Sequence, residues 1–370
     1  MNIRVFLRHT LDALKVQVNI KLTALALALA FTFSPTFATA ASVPIHMQTG
    51  GFAERPSIRV AHNPDKVFPL AYDKKNLYSA NKVANHPSNL ALMVIRDGKV
   101  LHESYNDSDE NSLFFSMSMS KSLTAYSMAG LVCSGKVDIN KPISEYTTEL
   151  GGTYSTAKVR DALMMASGAK PPVFAGQPVK GAFKQITLHK RSTIDIYKNY
   201  TERATEPGTT FNYYAPDTIA VARVIAKASN EPNMMKEFKE QVWNQVGAES
   251  DSAMNVDKDN VIPANSSFSA TLRDWGRIGL WSLAKNREDS CEGKWHKEAN
   301  SKQITNHRKR QGNAFPGYGY QVWIKNDHQY WWVGFGGQRV GIDTKKNVVI
   351  VAFSHKENYM TDLYKLMDEL

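Results

Sequence analysis

"FFSMSMSKSLTAYSMAGLVCSGKVD", residues 114–138, decides how the chain is read. Ser116, Ser118, Ser120, Ser122 and Lys121 open a run that is otherwise apolar. From Leu123 to Val132 the apolar residues face nearly all directions, which predicts a buried central helix. Ser134-Gly135 stops it. Ser118 and Lys121 stand one helical turn apart on one face. A serine hydroxyl becomes a nucleophile when a base takes its proton, and a lysine does this once burial or a nearby cation lowers its pKa. A serine in the first turn also carries an unpaired backbone N–H, suited to half of an oxyanion hole. The plain alternative is a capping serine beside a lysine whose stem lies on apolar surface. Ser-x-x-Lys occurs five times, at Ser79, Ser118, Ser155, Ser167 and Ser282. Ser118 alone opens a long apolar helix after a strand hairpin.

That hairpin is "NLALMVIRDGKVLHESY", 89–105, two apolar runs around Asp97-Gly98. Downstream, helical patterns occupy 156–170, 216–230, 234–247 and 269–286, the last from a Ser or Thr cap. Strands return in "YGYQVWI" (318–324), "QYWWVGFGG" (329–337) and "RVGIDTKKNVVIVAFSH" (339–355), before an amphipathic terminal helix. Neither group of strands is a good unit alone. Joined, they make one antiparallel sheet flanked by helices, with an all-helical domain inserted. The fold class is therefore α+β. The sheet domain takes 41–115 and 306–370, beginning with an irregular arm over 41–88, and the helical domain takes 116–305. A cleft between two such lobes is a common place for a site.

Composition agrees with a globular enzyme: 370 residues, 42% hydrophobic and 22% charged, enough for a sizeable core. Arg4, Arg8, Lys15 and Lys21 precede the apolar stretch Leu22 to Phe33, and Ala38-Thr39-Ala40 follows. This is the layout of a secretory signal over 1–40, so an exported protein, periplasmic or secreted, with no stable membrane anchor after cleavage is expected. Its removal takes the net charge from +10 to about +7. The basic run "NHRKRQ", 306–311, reads as a solvated loop, and no nucleic-acid motif accompanies it. Cys133 and Cys291 are the two cysteines. Export permits a disulfide between them, but spacing does not fix it. No paired Cys or His spacing suggests a metal, and no cofactor is expected.

Two further segments matter. "EPGTTFNYYAPDT", 206–218, puts Tyr213 on a loop ahead of a helix. "WWVGFGGQRV", 331–340, puts Gly336 and Gly337 on an expected strand, where a ligand or another backbone can come close. The aromatics of "YWW" (330–332), with Tyr318 and Tyr320, read first as sheet core.

"SMSKS" with its apolar helix and "GKVDINKPISEY", then "VRDALMMASGAK", "PGTTFNYYAPDT", "SATLRDWGRIGLW", "YGYQVWI" and "VGFGGQ" resemble, in this order, the class C β-lactamase-like serine hydrolases. That group includes class C β-lactamases, penicillin-binding peptidases, family VIII carboxylesterases and 6-aminohexanoate-dimer hydrolases. The resemblance covers roughly 89–355 and implies a β-lactamase/penicillin-binding-protein-like fold. It further implies Ser118 as nucleophile, Lys121 as its proton-handling partner and Tyr213 as the first residue of the Tyr-x-Asn motif. Phe335-Gly336-Gly337 would match the Lys-Thr-Gly or His-x-Gly strand motif, and the N–H groups of Ser118 and Gln338 would form the oxyanion hole. Two departures stand out. Ala215 replaces the motif's asparagine, and Phe335 replaces the cation that would hold a β-lactam carboxylate. Both favour the esterase and nylon-oligomer hydrolase branches, with a small ester, amide or lactam as substrate. A β-lactamase or D-alanyl-D-alanine peptidase is the alternative, and a non-catalytic cell-envelope binding protein on the same scaffold is the alternative from another class. The sequence leaves the oligomeric state open.

Overall fold

Strands β4 (Asn89–Arg96) and β16 (Val348–Ser354) lie side by side in the middle of the larger sheet, so the two ends of the strand pattern meet there. In this computed structural model the described residues are 56–170, 192–308 and 314–370, with the backbone of short strands at Ile45–His46, Val173–Phe174 and Gln177–Pro178. The segment read as an export signal lies outside them.

The two central strands are buried on both faces. Ala91, Met93 and Ile95 of β4 and Val349, Val351 and Phe353 of β16 enter one core. Leu92 and Val94, with Val348, Ile350 and Ala352, enter another. Alternate residues point to opposite faces, so a sheet covered on both sides reads as a continuous apolar run.

The earlier strands are β1 (Ile45–His46), β2 (Ser57–Val60), β3 (Ala71–Tyr72), β5 (Lys99–Tyr105), β6 (Leu113–Phe115), β7 (Val173–Phe174) and β8 (Gln177–Pro178). The later ones are β9 (Ser252–Asn255), β10 (Phe268–Ala270), β11 (Ile304–Thr305), β12 (Gly317–Tyr318), β13 (Trp323–Ile324), β14 (Gln329–Gly334) and β15 (Gln338–Asp343). The nine-stranded sheet runs β11-β12-β13-β14-β15-β16-β4-β5-β3 and is antiparallel except at β3. A second sheet runs β1-β6-β10-β9-β2.

The helices are α1 (Tyr78–Ala84), α2 (Ser120–Tyr126), α3 (Ala129–Cys133), α4 (Val159–Leu163), α5 (Thr193–Tyr197), α6 (Ala215–Ala228), α7 (Met235–Phe238), α8 (Asn244–Val246), α9 (Leu272–Lys285), α10 (Cys291–Ala299) and α11 (Met360–Glu369). Helix α9, capped by Thr271, packs on β4, β15 and β16. Helices α1 and α11 contribute Ala80, Val83, Leu363, Leu366 and Met367 to the core on the other face.

Several sequence expectations are corrected. The stretch 116–305 is not all-helical, because β9 and β10 lie within it and pair with β2 and β6. These strands are too short for alternation to reveal them. From Ser42 to Leu370 the chain forms one compact unit, with the helical segments and the sheet sharing a core. "YGYQVWI" is not one strand. It turns at Gln321 (φ 60°), so β12 and β13 pair with each other. The helix expected to reach Gly168 ends at Leu163, with Met165 at φ 58°. Tyr318, Tyr320, Tyr330, Trp331 and Trp332, by contrast, are core as expected.

Cys133 and Cys291 form a disulfide that ties the end of α3 to the start of α10. The bonded residues are 158 apart in sequence, and a crosslink closing so long a loop stabilises by a few kcal/mol, up to about 5. The double variant C133S/C291S should therefore lower the Tm by on the order of 5–10 °C. An unchanged Tm in thermal denaturation would show that the crosslink adds nothing to the packing around it.

Candidate active site

The chain enters the site from β6. The Ser116 amide bonds Phe268 O at 2.7 Å, then Met117 takes φ 46° and opens a 3-10 turn, Met117–Met119, leading into α2. This sharp turn leaves Ser118 partly exposed while its neighbours are buried. All seven residues of α2 are buried, and its serine and threonine hydroxyls find backbone partners. Ser120 Oγ donates to Ala264 O at 2.9 Å, Ser122 Oγ to Gln321 O at 2.7 Å, and Thr124 Oγ1 to Ser120 O at 2.9 Å. The polar residues around Ser118 are thus fasteners that make a buried helix start possible.

Lys121 Nζ donates to Ser118 Oγ at 3.1 Å and to Asn265 O at 2.8 Å. In three of the other Ser-x-x-Lys repeats the lysine pairs with an acid instead: Lys82 with Asp362, Lys170 with Glu202, and Lys285 with Glu288. Lys121 is 3% exposed. Desolvation pushes its pKa down to about 7, so a neutral amine is available near neutral pH.

Tyr213 completes the cluster. Lys121 Nζ sits 5.2 Å from its ring centroid, and the Ser118 side chain is close enough to pull its pKa down. Its loop is held by Asn212, whose amide bonds Met165 O at 2.7 Å and whose side chain bonds Ala169 O at 3.0 Å. Its ring packs on Trp323 at 5.0 Å. Desolvation raises its pKa to about 12, against the pull of the Ser118 side chain and of the Arg308 and Arg339 charges.

Ser118 and Tyr213 border a cavity of about 540 Å³, walled by Phe315, Trp323, Val333, Phe335, Arg339, Glu357, Met360 and Tyr364, among others. Phe335 stands 70% exposed at its edge. Gly336 (φ 81°) and Gly337 (φ 98°) are not on a strand as expected. With Phe335 they make the tight turn between β14 and β15. Gln338 begins β15, and its buried side chain donates to Phe335 O at 3.1 Å and to Ser354 O at 2.9 Å. Ala215 is the first residue of α6 and packs against the core. Ala215, Gly336, Gly337 and Gln338 are not among the residues lining this cavity. The Asn265 carbonyl, Arg339 and the α11 wall left no mark in the sequence that pattern reading could find, since backbone contacts and long-range packing have no local signature. Among the described residues no group of three or more His, Cys, Asp or Glu side chains is placed to hold a metal ion, and no helix is long and apolar enough to cross a membrane.

A family model described as Beta-lactamase matches residues 80–367. The chain belongs to the beta-lactamase family of hydrolases. This family member is 26% identical over 208 residues to a 6-aminohexanoate-dimer hydrolase of Paenarthrobacter ureafaciens, a match covering 52% of this chain and 51% of that protein. The matched part thus spans about half the length of that relative. Among solved structures, a Bacillus anthracis protein named after 6-aminohexanoate-dimer hydrolase superposes with a TM-score of 0.72 at 19% identity, covering 90% of this chain and 93% of that one. EstCE1, a hydrolase with promiscuous acyltransferase activity, has a TM-score of 0.58 at 14% identity, covering 76% of this chain and 91% of that one. At these identities the structural likeness speaks for the fold alone.

A lysine with a lowered pKa gives the site a pH signature. Activity that needs neutral Lys121 should rise through an apparent pKa near 7, and K121R should remove that limb from the pH profile of kcat/KM. Stability carries the same sign. Between about pH 7 and 10 the unfolded chain holds a proton that folded Lys121 has lost, so this group's contribution to stability grows with pH. A K121M variant whose stability keeps the wild-type slope over that window would contradict the shift.

Proposed function

We propose that this family member is an exported serine hydrolase that cleaves an ester or amide through an acyl-enzyme, in the manner of a carboxylesterase or 6-aminohexanoate-oligomer hydrolase. The contact between Ser118 Oγ and a desolvated Lys121 carries this proposal. Neutral Lys121 takes the hydroxyl proton as Oγ bonds to the substrate carbonyl carbon. The carbonyl π electrons move onto its oxygen, which the Ser118 N–H and the backbone of the Phe335–Gln338 turn receive, with Gln338 N–H as the donor implied by the family pattern. The proton passes from Lys121, with Tyr213 hydroxyl as relay, to the leaving oxygen or nitrogen as its bond to carbon breaks. Water then gives its proton to the same pair, attacks the acyl carbon and restores Ser118. Tyr213, with its raised pKa, acts as a protonated donor and relay and is not the resting base.

Phe335 at the cavity edge supports a neutral acyl group over a β-lactam carboxylate, which a cation there would hold. The similarity to a 6-aminohexanoate-dimer hydrolase supports amide as well as ester cleavage. The Cys133–Cys291 disulfide supports export, since such bonds persist in oxidising compartments.

S118A should lose turnover of short-chain p-nitrophenyl esters by more than about a thousandfold. Y213F should lose roughly a hundredfold while keeping its Tm. A panel of esters, amides and nitrocefin separates the alternatives. Nitrocefin as the best substrate would favour the lactamase, and no turnover of any member would favour the non-catalytic binding protein.

A further inference from the structure

Two glycines at positive φ give the Phe335–Gly336–Gly337 turn wide conformational freedom, so its position must be fixed from outside. Arg339, 4% exposed, does this from the cavity side. Its Nη1 donates to Gly334 O at 2.6 Å and to Gln338 O at 2.9 Å, the two residues that flank the turn. Nε donates to Tyr364 hydroxyl at 3.2 Å, and Nη2 reaches Glu357 Oε1 at 3.4 Å. We propose that Arg339 is a positioning residue for hydrolysis: its guanidinium clamps both ends of the turn and thereby aims the turn's backbone and Phe335 at the carbonyl that Ser118 attacks.

This role rests on the serine-hydrolase proposal and goes beyond it. A peptide group is planar, so holding Gly334 O also sets the direction of the Phe335 N–H. Bonds from a guanidinium are charge-assisted and rigid in geometry. Gly334 is also where the turn presses on the nucleophile's own segment. A Cβ there would lie 2.5 Å from Ser116 O and 3.0 Å from Met117 Cβ, so a shift of this peptide is passed directly to the turn bearing Ser118. Both N–H groups of Nη1 are spent on backbone carbonyls, which suits Arg339 to clamping and not to gripping a substrate carboxylate. Its charge also acts on Tyr213, so charge and geometry must be separated.

R339K keeps the charge and loses the fork, while R339M loses both. With a p-nitrophenyl ester, R339K should lower kcat about ten- to hundredfold, leave KM within about threefold, and keep the limb near pH 7. R339M should be lower still. The amides of residues 335–338 should exchange with deuterium at least about tenfold faster in R339K than in wild type. Wild-type kcat in R339K would show that only charge matters, and a raised KM with kcat preserved would make Arg339 a substrate contact; either result overturns the clamp. If R339M does not fold, R339K decides. Exchange is read without substrate, so unchanged exchange overturns the clamp even if the enzyme is inert, whereas wild type inert toward every ester is a failure of the serine-hydrolase proposal itself.

Discussion

Lys121 lies buried with the Ser118 hydroxyl 3.1 Å from its amine, and desolvation is what moves its pKa. An unpaired charge in such a place is costly, and the usual relief is to give up the proton. The surroundings are arranged to make that possible. One N–H of Lys121 goes to the Asn265 carbonyl, a dipole that orients the amine without restoring a full counter-charge. The neighbouring serines and Thr124 turn their hydroxyls onto backbone carbonyls, so α2 begins among polar groups and is still buried along its whole length. Burial of this helix start keeps the lysine from water, and that desolvation holds its pKa below the ordinary range.

The opposite wall depends on the same economy of contacts. Met117 holds positive φ on one side, a conformation that constrains a residue with a side chain, whereas Gly336 and Gly337 take it freely on the other and leave that turn to be set by its contacts. The two turns touch at Gly334 and Ser116, where the missing side chain allows backbone to meet backbone. The nine-stranded sheet supplies the rigidity behind this contact: β14 and β15 each have neighbours on both sides, and α9 packs against the face turned toward the helical segments. The walls of the cavity that remains include Phe315, Trp323, Val333, Phe335 and Met360, which suits apolar substrate segments.

The sheet was legible because β4 and β16 are apolar runs bounded by turn residues, and neither hairpin is stable alone. The Ser118–Lys121 pair was legible because one turn of helix brings residues three apart together. Tyr213 needed the order of several segments and not its own neighbourhood. The pairing of Cys133 with Cys291 stayed open, since two thiols permit a bond without fixing its geometry. Other features lay beyond sequence pattern for a common reason. The turn at Gln321 is stabilised by remote partners: its amide bonds Leu163 O at 2.9 Å and its side chain accepts from Thr218 at 2.7 Å. The Arg339 clamp and the Asn265 carbonyl are likewise contacts to backbone, which any residue type could offer. The sign of the Tyr213 shift required knowing that burial there outweighs three opposing influences.

The central claim is that Ser118 forms a covalent acyl intermediate with Lys121 as its base. The most direct test is peptide mapping by mass spectrometry after rapid acid quench of the enzyme with a slowly deacylating p-nitrophenyl ester. One acyl group should appear on the peptide carrying Ser118, with less of it when the acylation step is run well below pH 7, where Lys121 is protonated. An adduct on another residue, or substrate consumed with the Ser118 peptide unmodified at every pH, would contradict it.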